Sequence, residues 1–315
     1  MEVNFQLYIT YISIRQPFHK RLHLLNILQT KNKILKMHTP HIYIGTGGYS
    51  DTDLVGTLYP FGTDKADFLS VYSQYYDTVE INSTFHAPIG YKAVQGMLEK
   101  AEGRLTFSVK LHQDFSHKRT ATAEQARAFL DTLQPLRDSH CLANLFVQFP
   151  TSFECQHANR YYLAELVSWF SDYPLAIEFR HASWHTQSVL DYFRGKENLI
   201  WCNVDYPQNI GLPAFQFYAN QRTAYLRLHG RNPHWWKAQS AQERHDYRYS
   251  ETELQQLAAL LNQRKAEFDQ LYLYFQNTTN SHSFYNIESL KGYLAHYGFQ
   301  VKDTPEFLSG QQSLF

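Results

Sequence analysis

The chain has 315 residues, of which 43% are apolar and 18% charged, a composition typical of folded globular proteins that excludes a disordered chain. The formal net charge is zero, but residues 1–36 hold six basic residues and one acidic residue, so the remainder is mildly acidic. This balance argues against a protein that covers duplex nucleic acid with a basic face.

The first 36 residues differ from the rest of the chain. They are basic, and their apolar residues are interrupted by Lys and Arg, without the clean apolar stretch and small-residue cleavage site of a signal peptide. We interpret residues 1–36 as a basic N-terminal extension, either disordered or the result of an over-long start, with a transit peptide as the alternative. Met37 precedes the first predicted strand, so the folded domain is predicted to span residues 37–315.

Short runs of β-branched and aromatic residues alternate with longer helical patterns after the extension. Eight such runs predict strands at residues 42–45, 78–82, 105–110, 145–149, 175–179, 199–205, 224–230 and 271–277. Strand followed by helix, repeated eight times, predicts a single TIM-like (β/α)8 barrel. The link between the sixth and seventh strands is short, so the sixth βα unit is expected to be irregular and to lack a full helix.

The helices between these strands carry their own signals. Capping boxes begin two of them, at Thr122 and at Ser250, each followed by Gln or Glu three residues later. Residues 158–170 and 283–297 repeat apolar side chains with a helical period. Both features support helices on the outside of a barrel.

The cysteines indicate the compartment. Cys141, Cys155 and Cys202 are too few and too scattered for a disulfide framework, and no CxxC pair suggests structural zinc. This cysteine content predicts that the protein is located in the reducing cytoplasm. No run of apolar residues approaches the length of a membrane span, so no membrane association is predicted, and the sequence does not indicate an oligomeric state.

Polar side chains stand at the end of every predicted strand, where a barrel of this kind has its active site. Four of these ends carry two polar residues spaced two apart, which share one face of a strand. The pairs are Glu80 and Asn82, Glu178 and Arg180, Asn203 and Asp205, and Arg227 and His229. We expect each pair to point into one barrel mouth, although polar residues at strand ends can also merely satisfy exposed backbone.

Four of these residues are candidates for catalysis. Glu80, Glu178, Asp205 and His229 come from four strands, and carboxylates with an imidazole suit proton transfer without a metal. The same oxygen and nitrogen ligands would suit Mg²⁺, Mn²⁺ or Zn²⁺. A divalent metal is the less favoured alternative, and no cofactor is indicated.

Basic and amide side chains are candidates for binding a small anion, since guanidinium groups suit carboxylate and phosphate oxygens. The competing interpretation is a structural network, in which Arg180 pairs with Glu178 or Asp205 and Arg227 pairs with Glu80. The predicted binding residues are Asn82, Lys110, Gln148, Arg180, Arg227, Arg231 and Asn277.

Two functions follow from these residues. The first is an enzyme of hydrolase or isomerase type that acts on a small anionic substrate, phosphorylated or derived from a nucleotide. The second is a non-catalytic module that binds nucleic acid or a partner through the aromatic and basic loop after Gly230. That loop contains Trp235, Trp236, Tyr247 and Tyr249, which could instead cover the edge of the barrel.

Several motifs resemble one known family. In chain order they are GTGGYSD, EINSTF, FSVK, QFPTSF, IEFRHASW, VDYP and YLRLHGR, between about Ile42 and Leu290. The chain is thereby similar to the YecE-like family, domain of unknown function 72. The resemblance implies a TIM-barrel fold and no established reaction. Tyr49, His86 and Gln276 stand where the family pattern commonly has Trp, Tyr and Asn.

Overall fold

A parallel eight-stranded sheet, curled into a nearly closed barrel, forms the centre of the molecule. The computed structural model describes residues 39–208, 210–219 and 222–305, so the interpretation of residues 1–36 lies outside the described residues. The sheet order is β1-β8-β7-β6-β5-β4-β3-β2, and all its pairs are parallel. The eight predicted strands and the barrel are confirmed. The strands are β1 His41–Thr46, β2 Thr78–Ile81, β3 Thr106–Lys110, β4 Leu142–Phe149, β5 Leu175–Phe179, β6 Leu199–Asp205, β7 Thr223–Leu228 and β8 Gln270–Phe275.

Helices flank the strands on the outside of the barrel. Those found in the described part of the chain are α1 Phe68–Tyr75, α2 Tyr91–Ala101, α3 Gln113–Ser116, α4 Ala123–Thr132, α5 Gln134–Asp138, α6 His157–Trp169, α7 Gln187–Arg194, α8 Ala241–His245, α9 Glu251–Gln263 and α10 His282–His296. Short 3-10 turns lie at Thr52–Leu54, Lys65–Asp67, Ser83–Phe85, Ala182–Trp184, Lys265–Glu267 and Thr279–Ser281. None of the helices that the structure describes is long and apolar enough to span a membrane.

The local signals in the sequence act as expected. Both predicted capping boxes are formed: Thr122 caps α4 and Ser250 caps α9, and in each the acidic or amide side chain three residues later bonds back to the cap. Between β6 and β7, the described residues 206–208 and 210–219 contain no helix. The irregular sixth βα unit is therefore confirmed.

Alternation along the strands decides which side chains enter the barrel. Phe146 of β4, Ile200 and Cys202 of β6, and Tyr225 of β7 are buried in an inner cluster that fills the lumen. The opposite faces of the strands pack in the larger cluster shared with the helices. The inner-face residues after this lumen layer, toward the carboxyl ends, therefore form the barrel mouth.

Side chains close the seam between β1 and β2, the two ends of the hydrogen-bonded order. The Tyr72 hydroxyl accepts from the Thr46 amide (2.8 Å) and donates to the Thr78 carbonyl (3.0 Å). Asp77 accepts from a backbone amide of β1 at 2.9 Å. A Cβ atom on Gly45 would lie 2.0 Å from the Thr78 carbonyl oxygen, so glycine permits this close approach of the strands.

We expect Tyr72→Phe to lower the free energy of unfolding by about 1–3 kcal/mol, because it leaves a buried amide and a buried carbonyl unpaired. Tyr76→Phe is a matched control, since the Tyr76 hydroxyl is buried without a hydrogen-bond partner among the described residues. Removal of the Tyr76 hydroxyl should leave the free energy of unfolding unchanged or raise it. Urea denaturation of both variants measures the difference, and equal losses would show that Tyr72 does not hold the seam.

Candidate active site at the barrel mouth

One arginine joins two buried carboxylates at the centre of the mouth. Arg227 of β7 is 3% exposed, and Glu80 and Glu178 are both 0% exposed. Arg227 donates to Glu80 through Nε (3.0 Å) and Nη2 (2.9 Å), and to Glu178 through Nη1 (2.5 Å). Its guanidinium lies over the Phe146 ring, 4.6 Å from the centroid. The strands β2, β5 and β7 are thereby tied together at one level of the barrel.

Glu80 receives donors on both of its oxygens. Besides Arg227, the Tyr225 hydroxyl donates to Oε2 at 2.6 Å, and the amides of Asn82 (2.8 Å) and Gln276 (3.1 Å) donate to Oε1. A carboxylate offers about four lone-pair positions, so these donors use its accepting capacity. These hydrogen bonds hold the Glu80 side chain in place and leave its oxygens little capacity for a further donor.

Glu178 is held in a similar way. Arg180 donates to it through Nε at 3.0 Å, and the Tyr206 hydroxyl donates to the same oxygen. Burial raises the pKa of Glu178, but the charges of Arg227 and Arg180 outweigh burial and lower this pKa to about 2. Such a carboxylate stays ionised near neutral pH and is poorly matched to proton transfer there.

The proton position on His229 follows from its neighbours. Arg227 can only donate, so the His229 Nε2 atom, 3.2 Å from Arg227 Nη1, accepts, and the ring proton lies on Nδ1. Nδ1 then donates to His245 Nε2 at 3.4 Å. Burial, and next the charge of Arg227, lower the pKa of His229 well below its ordinary value and hold that of His245 at about 3. Both rings are neutral.

Lys110, at the end of β3, differs in its surroundings from the two arginines of the mouth. It is 9% exposed, and its Nζ lies 4.6 Å from the Phe85 centroid and 5.6 Å from the Phe146 centroid. Its hydrogen bond is a long one, 3.4 Å to Gln148 Oε1, and no carboxylate among the described residues forms an ion pair with it. Burial, and next the charge of Arg227, lower the pKa of Lys110 to about 7.

Gln148 of β4 has an unused donor beside this lysine. The charged form of Lys110 can only donate, so the Gln148 oxygen faces it, and Nε2 is left buried without a partner among the described residues. Gln148 is 4% exposed and is in register with Glu178, which holds Arg180. The Arg180 side chain is 25% exposed and bonds its neighbours through Nε. Lys110, Gln148 and Arg180 form what we call the donor face of the mouth.

Asn203, Asp205 and Arg231 do not join this site, although the strand-end pattern had pointed to the mouth. The inner face of β6 is taken by the alternate residues, so Asn203 turns outward and bonds the backbone of Tyr218 at 2.7 and 2.8 Å. Asp205 pairs with Arg231 (2.9 Å), and both line an outer cavity of about 190 Å³ beside Leu254 of α9. They form a separate network between the barrel and its helices.

Asn277 is likewise outside the mouth. Its amide donates to the Tyr247 carbonyl (2.8 Å) and to Asn286 of α10 (3.1 Å). The preceding residue, Gln276, reaches Glu80 instead. Of the predicted site residues, the structure therefore brings together Glu80, Asn82, Lys110, Gln148, Glu178, Arg180, Arg227 and His229.

Sequence reasoning missed Tyr206 as a mouth residue, and at the end of β8 it chose Asn277 over Gln276. Tyr206 stands four residues after Cys202, on the inner face of β6, and Gln276 stands two residues after Tyr274, on the inner face of β8. The signal that would have found them is continuation of the inward alternation past the end of each strand.

The aromatic loop after Gly230 folds over the edge of the mouth. Trp235 is buried and contacts the rings of Tyr206, His229 and His245 at 5.3 to 5.8 Å between centroids. Tyr249 is buried as well, whereas Trp236 is exposed. Trp235 therefore packs on the mouth residues, whereas the Tyr249 hydroxyl donates to Asp205 of the outer network at 2.7 Å.

The candidate metal ligands are divided between the two faces of the sheet. Arg227 stands between Glu80 and Glu178, and Asp205 belongs to the outer network. In the described parts of the chain, no group of three or more His, Cys, Asp or Glu side chains is arranged to hold a metal ion. These residues do not fit a divalent metal.

Comparisons with known proteins agree with the fold. Residues 43–309 match the family model described as protein of unknown function DUF72. UPF0759 protein YunF of Bacillus subtilis (strain 168) is 28% identical over 255 residues, covering 76% of this chain and 89% of that protein. The crystal structure of a DUF72 family protein from Thermotoga maritima MSB8 has a TM-score of 0.74 and 30% identity, over 81% of this chain and 99% of that one.

A DUF72 family protein from Enterococcus faecalis V583 shares the fold at 24% identity, with a TM-score of 0.72 over 84% of this chain and 98% of that one. The family model extends over most of the sequence, from β1 to beyond α10. The chain belongs to the DUF72 family.

Proposed function

We propose that the barrel mouth is the active site of an enzyme that acts on a small anionic substrate, phosphorylated or derived from a nucleotide, by hydrolysis or isomerisation. The observation that carries this proposal is the donor face, where Lys110, Gln148 and Arg180 come from three adjacent strands. Lys110 has no carboxylate partner and Gln148 Nε2 has no acceptor among the described residues. An anionic ligand would supply the missing acceptor oxygens.

The charge of the mouth supports an anion. Glu80 and Glu178 are balanced by Arg227 and Arg180, so Lys110 adds positive charge to an otherwise compensated cluster. Guanidinium and ammonium groups together suit phosphate or carboxylate oxygens, and phosphate sites at this end of a barrel are frequent.

The proton-transfer role moves from the carboxylates to Lys110 in this proposal. Glu178 remains ionised near neutral pH, and His229 donates and accepts within the protein. Lys110, with a pKa of about 7, exchanges a proton near neutral pH, which is the requirement for a general base.

We expect Arg180→Gln to weaken the binding of inorganic phosphate, measured by isothermal titration calorimetry, by about tenfold, which corresponds to roughly 1.4 kcal/mol. Arg231→Gln is the matched control, because Arg231 is also partly exposed and ion-paired but lies in the outer network. It should bind phosphate as the unmodified protein does. Equal affinities for all three proteins would contradict the proposed site.

A further inference from the structure

The surroundings of the Lys110 amine are those of a nucleophile. An ordinary buried lysine is paired with a carboxylate, but the Lys110 Nζ lies beside the Phe85 and Phe146 rings, and within the described part of the chain its hydrogen bond is to the Gln148 amide oxygen. It stands at the carboxyl end of β3, on the inner face of the barrel, where substrates of such barrels bind. A lysine desolvated in an apolar setting beside other cations is the form that attacks carbonyl groups.

The neighbours of Lys110 define what would be attacked. Arg180 and Gln148 offer donors for an anionic group on the side of β4 and β5. Phe85 and His117 form an edge-on ring pair, 4.9 Å between centroids, on the side of β2 and β3. A small molecule held by the donor face therefore places its adjoining carbon near the amine.

We propose that Lys110 forms a Schiff base with a small carbonyl compound that carries a carboxylate or phosphate group. This inference rests on the proposed function and narrows its substrate to an anionic aldehyde or ketone. Glu80 and Glu178 hold Arg227 in place and take no part in the covalent step.

Formation of the Schiff base requires only the Lys110 amine and the carbonyl compound. The Nζ lone pair attacks the carbonyl carbon, a C–N bond forms, and the electrons of the C=O double bond move to oxygen. The two protons that nitrogen loses leave with that oxygen as water, which gives the C=N bond. Addition of water reverses the reaction and releases the amine.

The test uses the full chain, pyruvate as the carbonyl probe and sodium borohydride to reduce the C=N bond to a stable secondary amine. Peptide mass spectrometry then locates the label. Near neutral pH, Lys110 should carry at least about tenfold more label than surface lysines, because those lysines are almost wholly protonated there. Lys110→Arg should abolish this label, whereas Lys118→Arg, at an exposed site paired with Asp114, should leave it unchanged.

Competition gives a readout that needs no variant. Lactate has the carboxylate of pyruvate but no carbonyl group, so it should bind the donor face and reduce the labelling of Lys110. Labelling spread evenly over surface lysines, or unchanged in Lys110→Arg, would overturn the Schiff base. If lactate binds in an Arg180-dependent manner while Lys110 stays unlabelled, only this inference fails. If neither phosphate, lactate nor pyruvate binds, the proposed function fails with it.

Discussion

Replacing Arg227 with Met is expected to lower the free energy of unfolding by about 3–5 kcal/mol near pH 7, the usual cost of breaking a buried ion pair from one side. The variant leaves Glu80 and Glu178, both 0% exposed, without the cation that they share. Chemical denaturation measures the loss. Arg222→Met is the control, because Arg222 is an exposed arginine next to the same strand, and its loss should cost less than about 1 kcal/mol.

The pH dependence of this loss identifies its cause. In the unmodified protein the pKa of Glu178 is lowered to about 2, so its stabilisation is complete above the ordinary carboxylate pKa and disappears as the pH falls through 2. Without Arg227, the burial that raises the pKa of Glu178 meets fewer opposing charges, so we expect this pKa to rise above its value in the unfolded chain. The deficit of Arg227→Met should therefore shrink as the pH falls from 7 to about 5. A deficit that does not change with pH would show that lost packing, not charge, is responsible.

Replacing Lys110 with Met is expected to stabilise the protein while removing its ligand chemistry. Below pH 7 the folded protein buries a charged amine, and exchange for an apolar side chain of similar length should raise the free energy of unfolding by about 2–4 kcal/mol. The charged groups that face Lys110 are Glu80, Glu178, Arg180 and Arg227. Their pairs with each other remain after the exchange, so the cluster stays compensated.

The sign of the Lys110 effect follows from its lowered pKa. The unfolded chain binds more protons than the folded protein between pH 7 and the ordinary lysine pKa of 10.5, so the penalty is full below pH 7 and fades as the pH rises toward 10.5. The gain from Lys110→Met should fade over the same range. Lys118→Met, at an exposed position, should change stability by less than about 0.5 kcal/mol at every pH. A loss of stability in Lys110→Met below pH 7 would contradict the assigned environment.

The architecture was accessible from sequence because each strand carries an apolar, β-branched or aromatic run and the intervening helices carry capping boxes. The sites of Thr122 and Ser250 show this directly, since the cap hydrogen bonds are local and need no tertiary information. Strand alternation was also sufficient to group Glu178 with Arg180 and Arg227 with His229.

The sequence did not show which face of each strand points into the mouth. Both faces of a barrel strand are buried, one by the lumen and one by helices, so spacing groups side chains without orienting them. On β6, Asp205 therefore appeared equivalent to an inward residue, although Cys202 occupies that face. The same ambiguity applies at the end of β8, where Gln276 bonds Glu80 in the mouth and Asn277 bonds the Tyr247 carbonyl outside it.

The sequence offered the pairing of Arg227 with Glu80 as an alternative, but the second pair, with Glu178, was not predicted, because it depends on contacts between strands that are far apart in sequence. Glu80 comes from β2 and Arg227 from β7, which are separated by β1 and β8 in the barrel, and Tyr225 of β7 bonds the same carboxylate. The sequence indicated ligand binding and a structural network as competing interpretations of Arg227, and its hydrogen bonds to Glu80 and Glu178 are those that the network interpretation requires.

The seam between β1 and β2 has a consequence for how the barrel assembles. Tyr72 lies in α1, between the two strands that it joins. The contact between β1 and β2 therefore closes a short loop, and the entropic cost of closing it is small. The contact that brings together distant parts of the chain is the ladder of β1 with β8. The entropic cost of completing the ring therefore falls on that ladder, and the first βα unit can hold its two strands together before the last strand arrives.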